Sequence, residues 1–190
     1  MVMSRTVRSG RSTTSRAAGL VASVALAGAG LVLPAAPAQA ATGDLSCAVT
    51  GSVTFSPALT PTRTSTKGNG TGKLSNCISG NGNFSRLQSA DIAVSGPATA
   101  DPSGFAGQCP ALINLKVTGT FSWQDGEKSG VSFTLSDDIA AGKASITGTV
   151  TKGPLKGDTV TAAPVFTVNT DCATAGLSVL TAQSGAVEFS

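Results

Sequence analysis

From residue 44 onward the chain repeats every two residues, not every three or four. Leu45, Cys47, Val49, Gly51, Val53 and Phe55 alternate with Ser46, Ala48, Thr50, Ser52 and Thr54, which predicts a half-buried strand over Asp44 to Phe55. Ser56-Pro57-Ala58-Leu59-Thr60-Pro61 should then interrupt its ladder, because proline has no N–H to donate. A second strand, Ser65 to Cys77, carries Gly68, Gly70 and Gly72 on one face and Lys67, Thr71 and Lys73 on the other, the pattern expected of an edge strand. After a turn at Ser79-Gly80-Asn81-Gly82-Asn83, Arg86 to Gly96 reads as a third strand, with Ala90, Ile92 and Val94 on one side. Gly96 to Pro110, with three Pro and three Gly, reads as the longest loop.

The sharpest pattern follows. Ala111, Ile113, Leu115, Val117, Gly119, Phe121 and Trp123 are odd-numbered, and beyond Asp125-Gly126 so are Val131, Phe133 and Leu135. A two-residue Asp125-Gly126 turn would set odd residues opposite even ones and put the two apolar sets on opposite faces, so register rejects it. A three-residue loop of Gln124, Asp125 and Gly126, with Gly126 left-handed, instead sets Val117 beside Phe133 and Leu115 beside Leu135. Three more strands are expected over Ala144 to Thr151, Asp158 to Val168 and Leu177 to Phe189, the first two linked by Lys152 to Gly157. No i, i+3, i+4 stripe is long enough for a helix, and Asp137 to Gly142 could form one turn at most. Eight strands in about 145 residues predict an all-β domain, an antiparallel β-sandwich with a closed up-and-down barrel as the alternative.

A local pattern recurs as Val49-Thr50-Gly51-Ser52-Val53-Thr54, Val117-Thr118-Gly119-Thr120-Phe121-Ser122 and Ile146-Thr147-Gly148-Thr149-Val150-Thr151. Its spacing is irregular, so it is no tandem repeat. Each Gly sits on the apolar face, where a missing side chain lets a strand coil or admits a bulky group from across the core.

The first forty residues read differently. Arg5, Arg8, Arg11 and Arg16 precede an uncharged run from Ala17 to Leu33, and Ala38-Gln39-Ala40 supplies small residues for cleavage. This predicts a secretory signal peptide over residues 1–40 and a single disulfide-stabilised domain over 41–190. The apolar run is shorter than the 20 or so residues of a membrane-spanning helix. Cys47 is badly placed for a lipid, so no membrane anchor is expected after cleavage. Without the leader the chain holds nine basic and ten acidic side chains, a net charge of −1. The charges are scattered, so no nucleic-acid or anionic membrane partner is implied.

Cys47, Cys77, Cys109 and Cys172 form an even set in an exported chain and read as two disulfides. Of three possible connectivities, a hairpin centred near Thr62 favours Cys47 with Cys77, leaving Cys109 for Cys172.

Cys47 to Thr60, with Thr54-Phe55-Ser56-Pro57-Ala58-Leu59-Thr60 after its alternating strand, the Ser122-Trp123 pair before a Gly-containing turn, and Gly148 through Gly153 to Gly157-Asp158 together define a further likeness. On these residues the chain resembles small secreted β-rich proteins of high-GC Gram-positive bacteria, of actinobacterial type, over most of the mature sequence. The resemblance implies an exported location and an all-β fold. That group brings no established activity, so no catalytic residue is carried over.

Chemistry is constrained by what is missing. The chain has no His, which removes Ser/His/Asp and Cys/His nucleophile activation, an imidazole base and His-ligated metals. The carboxylate pairs Asp125/Glu127 and Asp137/Asp138 are the only neighbours a glycosidase argument could use. A turn accounts for the first and a solvated loop is expected to account for the second. Asp137 and Asp138 could also offer ligands to Ca²⁺, but the spaced acids of a calcium loop are missing. A Ser/Lys dyad stays open, because its geometry is not written in sequence. No cofactor or metal is implied. Trp123, the lone tryptophan, is a candidate partner contact if exposed, although its odd-face position favours a cap over the core. Three functions remain: a binding module for an extracellular protein or glycan, an inhibitor or effector acting through the Gly96 to Pro110 loop, and, least favoured, a hydrolase.

Overall fold

The computed structural model describes residues 43–190; the leader expected over residues 1–40 lies outside them. Strands β1 (Leu45–Leu59) and β2 (Ser65–Ile78) form the first hairpin, and β3 (Ala90–Ala100) pairs with β2. A small ribbon of β4 (Phe105–Ala106) and β5 (Cys109–Pro110) precedes β6 (Leu112–Trp123), β7 (Lys128–Asp138) and β8 (Lys143–Lys152). The chain returns through β9 (Thr159–Ala162), β10 (Val165–Val168), a helical turn α1 (Cys172–Ala175), β11 (Leu177–Ser184) and β12 (Ala186–Phe189). β9 and β10 are two stretches of one return strand separated at Ala163-Pro164, and β11 and β12 are two stretches of another separated at Gly185.

Counted that way, eight antiparallel strands follow one another around a ring. β1 closes it by pairing with β2 on one side and with β11 and β12 on the other. The architecture is therefore the closed up-and-down barrel and not the sandwich. Closure also corrects the expectation for β2, which is no edge strand: it is laddered to β1 from Val49↔Leu74 to Ser56↔Lys67 and to β3 from Leu74↔Ala90 to Ser65↔Thr99. Its inward glycines leave room that larger neighbours use, Val53 and Leu115 lying over Gly68 and Val94 over Gly70.

The recurrent glycines have a steric reason. A Cβ on Gly119 would lie 2.1 Å from the Ala93 carbonyl oxygen, one on Gly148 2.3 Å from the Phe133 Cβ, and one on Gly51 2.6 Å from the Thr71 carbonyl oxygen. These strands approach so closely that only hydrogen fits, the condition for the strong coiling that closes a sheet.

The central hairpin has the expected register: Val117↔Phe133 and Leu115↔Leu135 are direct partners. Its loop is Gln124, Asp125 and Gly126, closed by the Trp123 N–H donating to the Glu127 carbonyl at 2.9 Å, with Gly126 at φ +89°. Disulfides join Cys47 to Cys77 and Cys109 to Cys172 across 30 and 63 residues, each contributing about 4 kcal/mol on the chain-entropy account.

Several boundaries move. β1 continues through Pro57 to Leu59, with its pairing to β11 shifting between Thr54 and Leu59, so the proline ends the ladder to β2 without ending the strand. The third strand begins at Ala90 instead of Arg86, because Leu87 is drawn into the core from a loop. Gly96 to Pro110 is only partly loop: β3 runs to Ala100, and residues 105–110 form the ribbon pinned by the Cys109–Cys172 bridge. Cys172 sits in a helical turn that the period-two reading did not contain.

Two apolar clusters fill the barrel. One holds Leu45, Phe121, Trp123, Leu155 and Phe189; the other holds Phe55, Leu59, Ile113, Leu115, Leu177 and Leu180. Each fully buried side chain of this size stabilises the fold by about 1.5 to 3 kcal/mol.

Candidate functional site

The ring of ladders has one weak join. β8 pairs with β9 from Thr149↔Thr159 to Ile146↔Ala162 and no further. The next inward position on the return strand is Pro164, which has no donor, and beyond it β10 stays with β11. Lys143, Ala144 and Ser145 are therefore laddered to β7 alone, and β10 to β11 alone. Between them lies a groove of about 360 Å³ lined by Asp137, Ile139, Gly142, Phe166, Thr167 and Val168. Ile139, Phe166 and Val168 are half-buried and pack against the second apolar cluster, so the groove at this join has an apolar wall.

Asp137 is the chemical anomaly of this groove. It is 4 % exposed, and its Oδ2 is enclosed without a hydrogen-bond partner. Burial, and then the charge of Asp138, push its pKa up to about 6. Asp138 itself is occupied locally, its Oδ1 accepting from the Ala141 N–H at 2.8 Å. A separate apolar cavity of about 70 Å³ has a wall that includes Val53, Val94, Val117, Phe133 and Leu135. Phe166 contributes to both groove and cavity. The cavity is about half the size of the roughly 150 Å³ apolar cavity that holds a benzene ring, so it has room for an alkyl tip only.

Asp137 does not lie in the solvated loop expected for it. β7 runs through Asp138, and Asp137 continues the inward odd set of Val131, Phe133 and Leu135. The signal was present as residue parity, which points to the core two residues beyond Leu135. An acidic residue there reads as the end of the strand, and only pairing with Ile113 and Ala144 shows that the strand goes on.

The other candidates are structural. Trp123 is 3 % exposed and donates from Nε1 to Ser129 Oγ at 2.8 Å, so the indole caps the core and is not an exposed contact. Its ring meets Phe121 and Phe189 edge to face. Asp125 and Glu127 both pair with Arg86, fastening the 79–88 loop to the hairpin turn. Asp125 Oδ1 also accepts from the Glu127 N–H at 3.0 Å. Among the described residues no cluster of three or more acidic or thiol side chains could hold a metal ion, and no helix is long and apolar enough to cross a membrane.

No family model matches the chain, and neither the curated proteins nor the solved structures contain a match.

Proposed function

We propose that this chain is an exported binding module whose barrel takes a small, largely apolar ligand at the join between β8 and β10. The observation that carries this reading is the groove itself: half-buried apolar side chains, a size within the range of small-molecule sites, and an apolar cavity that shares Phe166 with it. Export is supported by the leader pattern of residues 1–40 together with two disulfides, which persist in oxidising surroundings.

Titration of the isotopically labelled, disulfide-bonded protein with n-hexanol tests the reading. The amides of Ile139, Phe166 and Val168 should shift together and saturate, and Val168→Trp should weaken the effect at least tenfold. Shifts spread evenly over the surface, or none in the groove, would overturn it.

A second reading, an inhibitor or effector of another extracellular protein, is favoured by the 101–110 segment. Ser103, Ala106, Gly107 and Gln108 are exposed. The segment is nonetheless held rigid by Cys109–Cys172 and by the Gln108 N–H donating to the Ala173 carbonyl. Rigid exposed loops bind at low entropic cost.

A further inference from the structure

The groove's polarity narrows the ligand further. Of its six lining residues only Asp137 ionises, and the Asp137 Oδ2 is enclosed with no protein donor facing it. A buried carboxylate without a donor is costly, so either it stays protonated or the missing donor comes from outside the chain. A calcium ion would need six or more oxygen ligands, whereas the neighbouring walls are Ile139, Phe166 and Val168. A compact cation on an apolar stem meets both demands, because the head pairs with the carboxylate while the stem lies along the hydrocarbon wall.

We propose that the groove between β8 and β10 binds a small primary amine with an apolar body, its ammonium group paired to Asp137 and its tail lying against Phe166 and Val168. The assignment rests on the groove being the ligand site and adds the chemistry of the head group.

The electrostatic surroundings are simple. On its own strand Asp137 has Asp138 beside it; on β8 Lys143 stands opposite Asp138. The ion pairs found among the described residues involve neither of them, being Lys73–Asp91 and Arg86 with Asp125 and Glu127. β10 carries no ionisable side chain, and the one on β6, Lys116, lies on the exposed face. The carboxyl, with its pKa near 6, is therefore ionised at pH 7.5 and mostly protonated at pH 5, while an alkylamine stays charged at both.

The test compares n-hexylamine with n-hexanol by the same amide titration, at pH 7.5 and pH 5, on the wild type and on Asp137→Asn. The amine should bind at least tenfold more tightly than the alcohol at pH 7.5, and its affinity should fall about tenfold at pH 5 as the carboxyl protonates. Asp137→Asn should remove the preference, so that amine and alcohol bind the variant with the same affinity. If the two probes bind the wild type equally, the head-group assignment is wrong while the groove stands. An amine preference that survives in Asp137→Asn would likewise overturn it. If neither probe shifts the groove amides, both the groove and the assignment fall. The pH arm on the wild type needs no variant, so poor folding of Asp137→Asn would not protect the proposal.

Discussion

Ser129 and Asp137 lie eight residues apart on the same strand and the same inward face, and among the described residues they are the two buried polar side chains. Ser129, fully enclosed, accepts from the Trp123 indole N–H and donates to the Pro154 carbonyl at 2.7 Å. Around it Phe121, Phe189 and Leu155 close that end of the barrel. Asp137, at the other end of β7, has an enclosed oxygen with no donor, beside the join that β8 and β10 leave unladdered. The contrast separates two uses of burial: where every polar atom is paired it fixes one arrangement of the core, and where one is left unpaired beside a groove it creates a demand for a partner.

The largest effect should come from the closed end. Phe189→Ala should cost about 3 to 5 kcal/mol in chemical denaturation, because a fully buried ring leaves a cavity among Phe121 and Trp123. Phe166→Ala, half-buried at the join, should cost clearly less; equal costs would erase the distinction between the two ends.

Next is Asp137. Its pKa is raised in the folded state to about 6 from 3.8, so between those values the native protein binds more protons than the unfolded chain. Stability should therefore be greatest near pH 4, fall as pH rises to 6, and level off above. Asp137→Asn should reduce that slope, leaving the part due to Asp158, whose pKa burial also raises, and stabilise the fold at pH 7 by on the order of 2 to 3 kcal/mol. A flat wild-type profile between pH 4 and 6 would show that the carboxyl is not in a desolvated site.

Ser129→Ala should cost about 2 kcal/mol, since it leaves both the indole N–H and the Pro154 carbonyl without their partner. A loss below about 0.5 kcal/mol in thermal melts would mean that water replaces the hydroxyl and that the closed end is less dry than its packing indicates.

At the turn beside that end, Gly126→Val should cost about 1 kcal/mol or more while Gly126→Asn is milder. The position has φ +89° but nothing within 4 Å of an added Cβ, so the penalty is conformational alone. The smallest effect belongs to the outer face between the two ends. Thr118→Ala and Ser132→Ala, exposed and directly paired, should each stay within about 0.5 kcal/mol.

Local alternation determined a good deal of this protein. The period-two runs located eight strands, the parity of Val117, Phe133, Leu115 and Leu135 determined a hairpin register to the residue, and the β1–β2 hairpin brought Cys47 to Cys77. These features depend on neighbours in sequence or on a single turn, where the pleat ties residue number directly to facing. Tertiary structure decided the rest. Whether eight strands form two layers or a ring depends on β1 finding both β2 and the return strands β11 and β12, a meeting of residues more than a hundred apart. The three recurrent glycines matter only once neighbouring backbones press against them. The burial of Asp137 and the groove beside it arise because the ladder from β9 to β8 stops at Ala162 while β7 runs on to Asp138. Such mismatched strand lengths depend on which strands become neighbours, and periodicity within any one strand carries no information about its neighbours.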